Sequence, residues 1–572
     1  MADDLEPTEP ERRLIEAAAK GEVADYAVAE ETADDPANGA DWGDDRRLRA
    51  GIIYALCLGS NDEWPVHAKG VRVRGARIAG RLDFEDAILE CSLALADCFI
   101  EQEMVLLGAE GRSLNLAGSL VRNIRADRFK TSGGVFLRNG FRAKGEVRLL
   151  GADIGGNLDC SNGSFENADG NALFADRLKT AGSVFLSDNF SAKGEVRFLG
   201  ADIGGSLYCL NGSFENADGN ALSADGLKTA GDVFLRDNFS AKGEVRLLGA
   251  DIGGDLDCSN GSFENADGKA LSADRLKTAG DVFLRDNFSA KGEVRLLGAD
   301  IGGDLSCVGG HFSNPGSDAL SAERAIISGV FFLGEFASPV EGTINLAHAE
   351  AGVLADDEAG WPAPGNLVLD GFVYGAIAGK APTAAAKRLD WLKRQPAGDF
   401  RPQPYVQLAK ILREMGHERD AREVSIARQE AWIGSGDLGW RGRIWHRFLG
   451  LTIGHGYKPW KVLWFFLGIV ILGSAVFGLA EYAGLMVPAK ERVYLDARYP
   501  ELPPEYPRFQ PHLYSLDVFL PIVDLHQESF WLPKAGTGWG WAVMAYLWLH
   551  ILLGWVLTTV AVAGLTGLVR RD

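Results

Sequence analysis

The chain has no secretory signal: Met1-Ala2-Asp3-Asp4-Leu5-Glu6 is acidic, with neither a basic nor an apolar leader region, which places the following residues in the cytoplasm. It has few spare positive charges. A formal charge of −20, with no long basic stripe in the first 430 residues, speaks against sequence-independent nucleic-acid binding, which needs cations to displace counterions from phosphates. There is no CxxC pair among the seven cysteines, so zinc-site and redox-dithiol spacings are both missing. No GxGxxG opens a helix after a strand, and neither a P-loop nor a GxSxG elbow occurs. Gly536-Thr537-Gly538-Trp539-Gly540 is rich in glycine but leads into an apolar run, as a turn at a membrane surface would.

Glycine is abundant, at 71 of 572 residues, and it recurs at fixed spacing. The segment Gly145-Glu146-Val147-Arg148-Leu149-Leu150-Gly151-Ala152-Asp153-Ile154-Gly155-Gly156 returns unchanged from Gly243 and Gly292, and with Phe198 as its one substitution from Gly194, so the period is 49. An older copy is legible from Val71 to Phe84, and a faded one runs through about Val373. Apolar residues alternate in short runs, such as Val147 with Leu149 and Leu158 with Cys160, each bounded by glycine, which is strand periodicity. Strands of a few residues with a turn every ten to fifteen, stacked by a long repeat, describe a right-handed parallel β-helix.

The two halves of a unit resemble each other, Ala152-Asp153-Ile154 against Ala175-Asp176-Arg177-Leu178, so each unit is expected to make two coils. At roughly 4.8 Å per coil, a solenoid over 65–378 is on the order of 60 Å long. Cys160, Cys209, Cys258 and Cys307 then face inward two coils apart, too far for a disulfide, and act as small apolar residues. The row Asp153, Asp202, Asp251 and Asp300 reads as solvated outward carboxylates, since the nonapeptide of calcium-binding solenoids is missing. Near-identical repeats do not supply the asymmetric convergence of groups that catalysis needs, and all nine histidines lie outside them. No catalytic, cofactor-binding or metal-binding residue is therefore assigned, and no cofactor.

Helices should cover the solenoid's open ends. Residues 1–64 are expected to form an N-terminal cap, with a capping box from Thr8 and Glu11 before a helix ending at Gly21, and a second helix from Asp44 to Leu58. Residues 379–436 form a C-terminal helical cap: a helix from Thr383 to Arg394, then Pro404 to Met415 and Glu418 to Trp432 as an antiparallel pair turning at Gly416-His417.

A basic segment, 437–461, precedes two uncharged stretches, 462–482 and 540–569, each long enough to cross a hydrocarbon core of about 30 Å. Arg441, Arg443, Arg447, Lys458 and Lys461 precede the first, and Arg570 and Arg571 follow the second as a short tail, 570–572. Loop 483–539 is mostly acidic, with Glu491, Asp496 and Glu501 among its carboxylates. The positive-inside bias thus places both chain ends in the cytoplasm and the loop outside. Within that loop, 512–526 is amphipathic and sits where a two-span channel keeps its pore helix, though TVGYG is missing; it is either an interfacial or a re-entrant element.

Trp42-Gly43 with Leu48-Arg49-Ala50, the Gly-Ala-x-Ile-x-Gly-x-Leu-Asp coils, Pro404-Tyr405-Val406-Gln407-Leu408-Ala409, Gly456-Tyr457-Lys458-Pro459-Trp460, Leu520-Pro521-Ile522-Val523-Asp524-Leu525, and Gly554-Trp555 with Ala563-Gly564-Leu565-Thr566-Gly567 together resemble a family of bacterial membrane proteins with pentapeptide-like repeats. Members are often labelled membrane-associated oxidoreductase. The resemblance implies an inner-membrane location and redox chemistry, but it brings no catalytic or cofactor residue to this chain. Ala152-Asp153-Ile154-Gly155-Gly156 fits a five-residue repeat and the residues up to Leu158 break it, which leaves the cross-section open. Three functions follow: a cytoplasmic scaffold or sensor binding a protein partner, the oxidoreductase of the resemblance, and an oligomeric two-span channel regulated by the solenoid.

Overall fold

A computed structural model describes all residues except 1–5, 29–32, 379, 399, 435–438, 491–492, 494–501, 537, 567 and 569–572. The acidic first five residues, Glu491, Asp496, Glu501, Arg570 and Arg571 lie outside the described residues. The chain divides into two compact units, Met1–Ala397 and Gly398–Asp572.

The first unit is a parallel β-solenoid of about 13 turns. One coil shows its construction. Leu158-Asp159, Ser164-Phe165, Leu173-Phe174 and Lys179-Thr180 each pair in parallel with the coil before and the coil after, so four ladders run along the molecule and the coil is four-sided. Leu158 pairs with Val184 and Val184 with Leu207, so the 49-residue unit makes two coils, of 26 and 23 residues. The longer coil carries its extra residues between the second and third ladders. Its register jumps from Glu166 to Asn171 while the next coil advances only from Lys193 to Glu195, and Ala168, Asp169 and Gly170 are exposed.

That asymmetry explains one of the recurring glycines. Gly194 sits opposite the protrusion at φ +110°, where a Cβ would lie 2.2 Å from the Asn167 carbonyl oxygen. Only glycine lets the shorter coil pass beneath the longer one. Inside, one stack of phenylalanines continues through Phe141, Phe165, Phe190, Phe214, Phe239, Phe263, Phe288 and Phe312, with centroids 5.1–5.3 Å apart. The spacing matches the separation of the coils, so each ring covers the next.

At the N-terminus, helix α1 (Glu9–Lys20) has the Thr8–Glu11 capping box and ends on Gly21 in the left-handed region. The expected helix from Asp44 to Leu58 is shorter. A 3-10 turn, Asp44–Arg46, is followed by a strand, Arg47–Arg49, and helix α2 occupies Ala50–Cys57. Leu48 is extended because its strand pairs with Arg77–Ala79 of the first coil, satisfying an edge that a helix would leave open. Glu11 joins the two pieces. Its carboxylate accepts from the Thr8 and Arg49 backbone N–H groups, at 2.8 and 3.0 Å, and from the Arg49 guanidinium, at 2.6 and 2.8 Å.

At the other end, helix α3 (Ala385–Leu392) is fastened to the last coils. Arg388 makes two 2.7 Å bonds to the Asp356 carboxylate, and the Trp361 indole donates to it at 2.8 Å. Both charged side chains are fully buried.

The second unit is helical. Helices α4 (Gln403–Glu414) and α5 (Glu418–Gly434) form the expected antiparallel pair around Gly416, burying Leu408, Ile411, Leu412, Ala421 and Val424. Helix α6 (Trp440–Ile453) follows, and then α7 (Val462–Tyr482), α8 (Pro511–Phe519) and α9 (Gly538–Leu565). Two helical stretches, Pro459–Tyr482 and Gly538–Leu565, are long and apolar enough to cross a membrane.

Candidate functional site

The repeated carboxylates are not a bare row. Asp153, Asp202, Asp251 and Asp300 stay on the outside, but the intervening coils place Lys179, Lys228 and Lys277 between them, so the ladder alternates in sign. The period of 49 hid this, because it skips every second coil. A different stack of carboxylates escaped the sequence reading. Asp232 accepts from the Asp255 backbone N–H, Asp255 from Asp281, Asp281 from Asp304 and Asp304 from Val330, at 2.6–2.9 Å. Asn157, Ser183 and Ser206 begin the same chain, so it serves as a side-chain brace for one corner of the coils. Among the described residues no group of three or more His, Cys, Asp or Glu could hold a metal ion.

All seven thiols are free and buried. The ladder registers place Leu186 between Cys160 and Cys209, and Leu235 between Cys209 and Cys258, so the inward cysteines alternate with leucines. Cys57, at the end of α2, is different. Its carbonyl accepts from the Glu90 N–H at 2.9 Å, which brings it beside Cys91. The hydrogen bond from Cys57 pulls the Cys91 thiol down to about 7, whereas the same bond and complete burial push Cys57 far up. No spacing signal in the sequence could have paired them.

On another outward face the rings of Phe185, Tyr208 and Phe234 stack at 4.9 and 5.2 Å. The same ladder carries Phe136, Phe283 and Phe332, all half-buried. Arg138, Arg236 and Arg285 lie over Phe136, Phe234 and Phe283, 4.1–4.8 Å from the centroids.

In the second unit α8 lies between α7 and α9, and it runs along them. Pro511 faces Gly478, where a Cβ would stand 3.5 Å away. The Ser515 hydroxyl donates to the Val470 carbonyl at 2.9 Å and packs where a Cβ on Gly473 would come within 2.2 Å. Phe519 meets Phe466 edge-on at 5.2 Å, and its carbonyl oxygen occupies the place of a Cβ on Gly554. From Gly478 to Phe466 is about 18 Å of the roughly 31 Å of α7, at 1.5 Å per residue. Segment 512–526 is therefore re-entrant rather than interfacial with respect to these two helices. Small residues on both of them admit its backbone.

His550 on α9 is completely buried against α8, its Nε2 3.1 Å from the Ser515 carbonyl oxygen and its Nδ1 3.3 Å from the Tyr546 hydroxyl. Beyond Phe519 the chain turns back. Asp517, 6% exposed, takes the N–H of Leu525 on one carboxylate oxygen and that of Glu528 on the other, at 2.5 and 2.9 Å. The Gln510 N–H donates to Gln527, closing the hairpin at its mouth.

Comparison with family models, with curated proteins and with solved structures returned no match. The resemblance to pentapeptide-repeat membrane proteins, and the oxidoreductase label that goes with it, gain no support from them.

Proposed function

We propose that the protein is a membrane-anchored scaffold or sensor, held by α7 and α9 in the bacterial cytoplasmic membrane with the solenoid and both chain ends on the cytoplasmic side, and that the solenoid binds a protein partner. The observation that carries the binding is the row of aromatic rings with arginines over them. Half-buried aromatics and arginines dominate the energetics of protein interfaces, and a pre-ordered ladder presents them with little ordering cost. The charge bias about the two apolar helices supports the orientation.

A photo-crosslinking residue at Tyr208, with a second at Lys193 on a different ladder, tests the binding in native membranes. Reaction of the first with one protein, and none at the second, is expected. Equal or absent reaction at both would remove the reading. Redox chemistry would require a bound flavin, nicotinamide or metal, so the absorbance spectrum and metal content of the purified protein decide that alternative.

A further inference from the structure

The re-entrant helix raises a question that the single chain does not answer. Its return segment, 520–526, is irregular and exposed: Ile522 is 83% and Val523 43% accessible, and the Asp524 and His526 side chains about 70%. Among the described residues, the carbonyls of Pro521, Ile522 and Val523 accept no hydrogen bond. Yet Leu520 packs with Phe519 in the cluster of Val462, Leu557 and Val560, far down the two spans. Irregular backbone at that depth is stable only if protein buries it or water reaches it, because lipid leaves each carbonyl unsatisfied at a cost of several kcal/mol.

We propose that the second units of more than two copies of this chain assemble around their 520–526 segments and enclose a water-filled pathway for inorganic cations. Water in the pathway would satisfy the free carbonyls, and neighbouring copies would cover the exposed Ile522 and Leu525 side chains. Two spans per chain cannot enclose such a path alone, so the assembly is required by geometry. The charge preference follows from the same residues. The C-terminal end of α8, the negative end of its dipole, points into the site, three carbonyls line it, and each copy adds one Asp524 carboxylate. Asp524 is held by its own loop, 2.6 Å from His526 Nδ1 and accepting the His526 N–H at 2.8 Å. The inference rests on α7 and α9 crossing a bilayer and not on a partner for the solenoid.

Full-length protein in potassium-loaded vesicles tests it, with Ile522→Cys and Val523→Cys introduced separately. Both positions are exposed, so either substitution should preserve the fold, and the seven native cysteines, buried in the first unit, give little background. The expected result is cation flux, blocked when a charged, membrane-impermeant thiol reagent modifies either position, with copper-phenanthroline linking chains into covalent multimers. Asp524→Asn should lower the cation-to-anion permeability ratio about tenfold. Labelling by lipid-soluble maleimide alone would overturn the proposal. So would single-chain migration after oxidation, or vesicles tight to potassium, sodium and chloride. Protection in native membranes that is lost on purification would mean that a different protein covers the segment, and would overturn it equally.

Discussion

A residue in a solenoid matters through what the next coil places against it. Gly243 repeats the situation of Gly194, with φ +116° and a Cβ position 2.4 Å from the Asn216 carbonyl oxygen. Gly249 has φ +62° with nothing within 4 Å. Gly249→Ala should therefore cost only the left-handed backbone penalty, about 1–2 kcal/mol. Gly243→Ala adds a backbone collision and should cost about 3 kcal/mol or more. Thermal unfolding of the two variants compares them, and equal losses would show that the protrusion yields freely. The cysteines divide by the same logic. Native protein treated with iodoacetamide should be alkylated first at Cys91, with a rate rising through about pH 7, because Cys57 donates a hydrogen bond to its sulfur. Cys160, Cys209, Cys258 and Cys307 should react only on unfolding, since burial raises all four. Mass spectrometry that finds Cys91 no faster than these would refute the pairing with Cys57.

At the scale of elements, the solenoid ends are where local signals and tertiary demands met. The Thr8–Glu11 box was legible because a capping box is a local device. The strand at Arg47–Arg49 was not, because an isolated apolar run with Leu48, Ile52 and Leu56 at helical spacing gives no sign that an open edge waits 29–30 residues further on. The closing helix α3 depends on one buried ion pair. Asp356→Ala should destabilise that end by about 3–5 kcal/mol, because Arg388 would remain charged with no counterion, whereas removing both partners as Asp356→Leu with Arg388→Met should recover much of the loss. Hydrogen exchange in Glu350–Ile377 and α3 measures this. A single variant no worse than the double one would show that the pair is dispensable.

For the whole molecule, the 49-residue period, the glycine-bounded alternation and the two uncharged runs by themselves determined a two-coil parallel solenoid and two helices fit to cross a membrane. Those properties follow from patterns that recur along the chain, and the chain states them many times. The four-sided coil depended on where each short strand finds its neighbour, and runs of two residues carry too little pattern to say. The alternation of Asp and Lys, the carboxylate brace from Asp232 to Asp304 and the Cys57–Cys91 pair depended on the registers of coils 23 and 26 residues apart. The depth of α8 was decided last. Its sequence is equally suited to a membrane surface or to a place between helices, and only the notches at Gly473 and Gly554, with Ser515 bonded to Val470, hold it inside. Amphipathicity records that a helix has two faces; what covers each face is settled by packing against residues distant in the sequence.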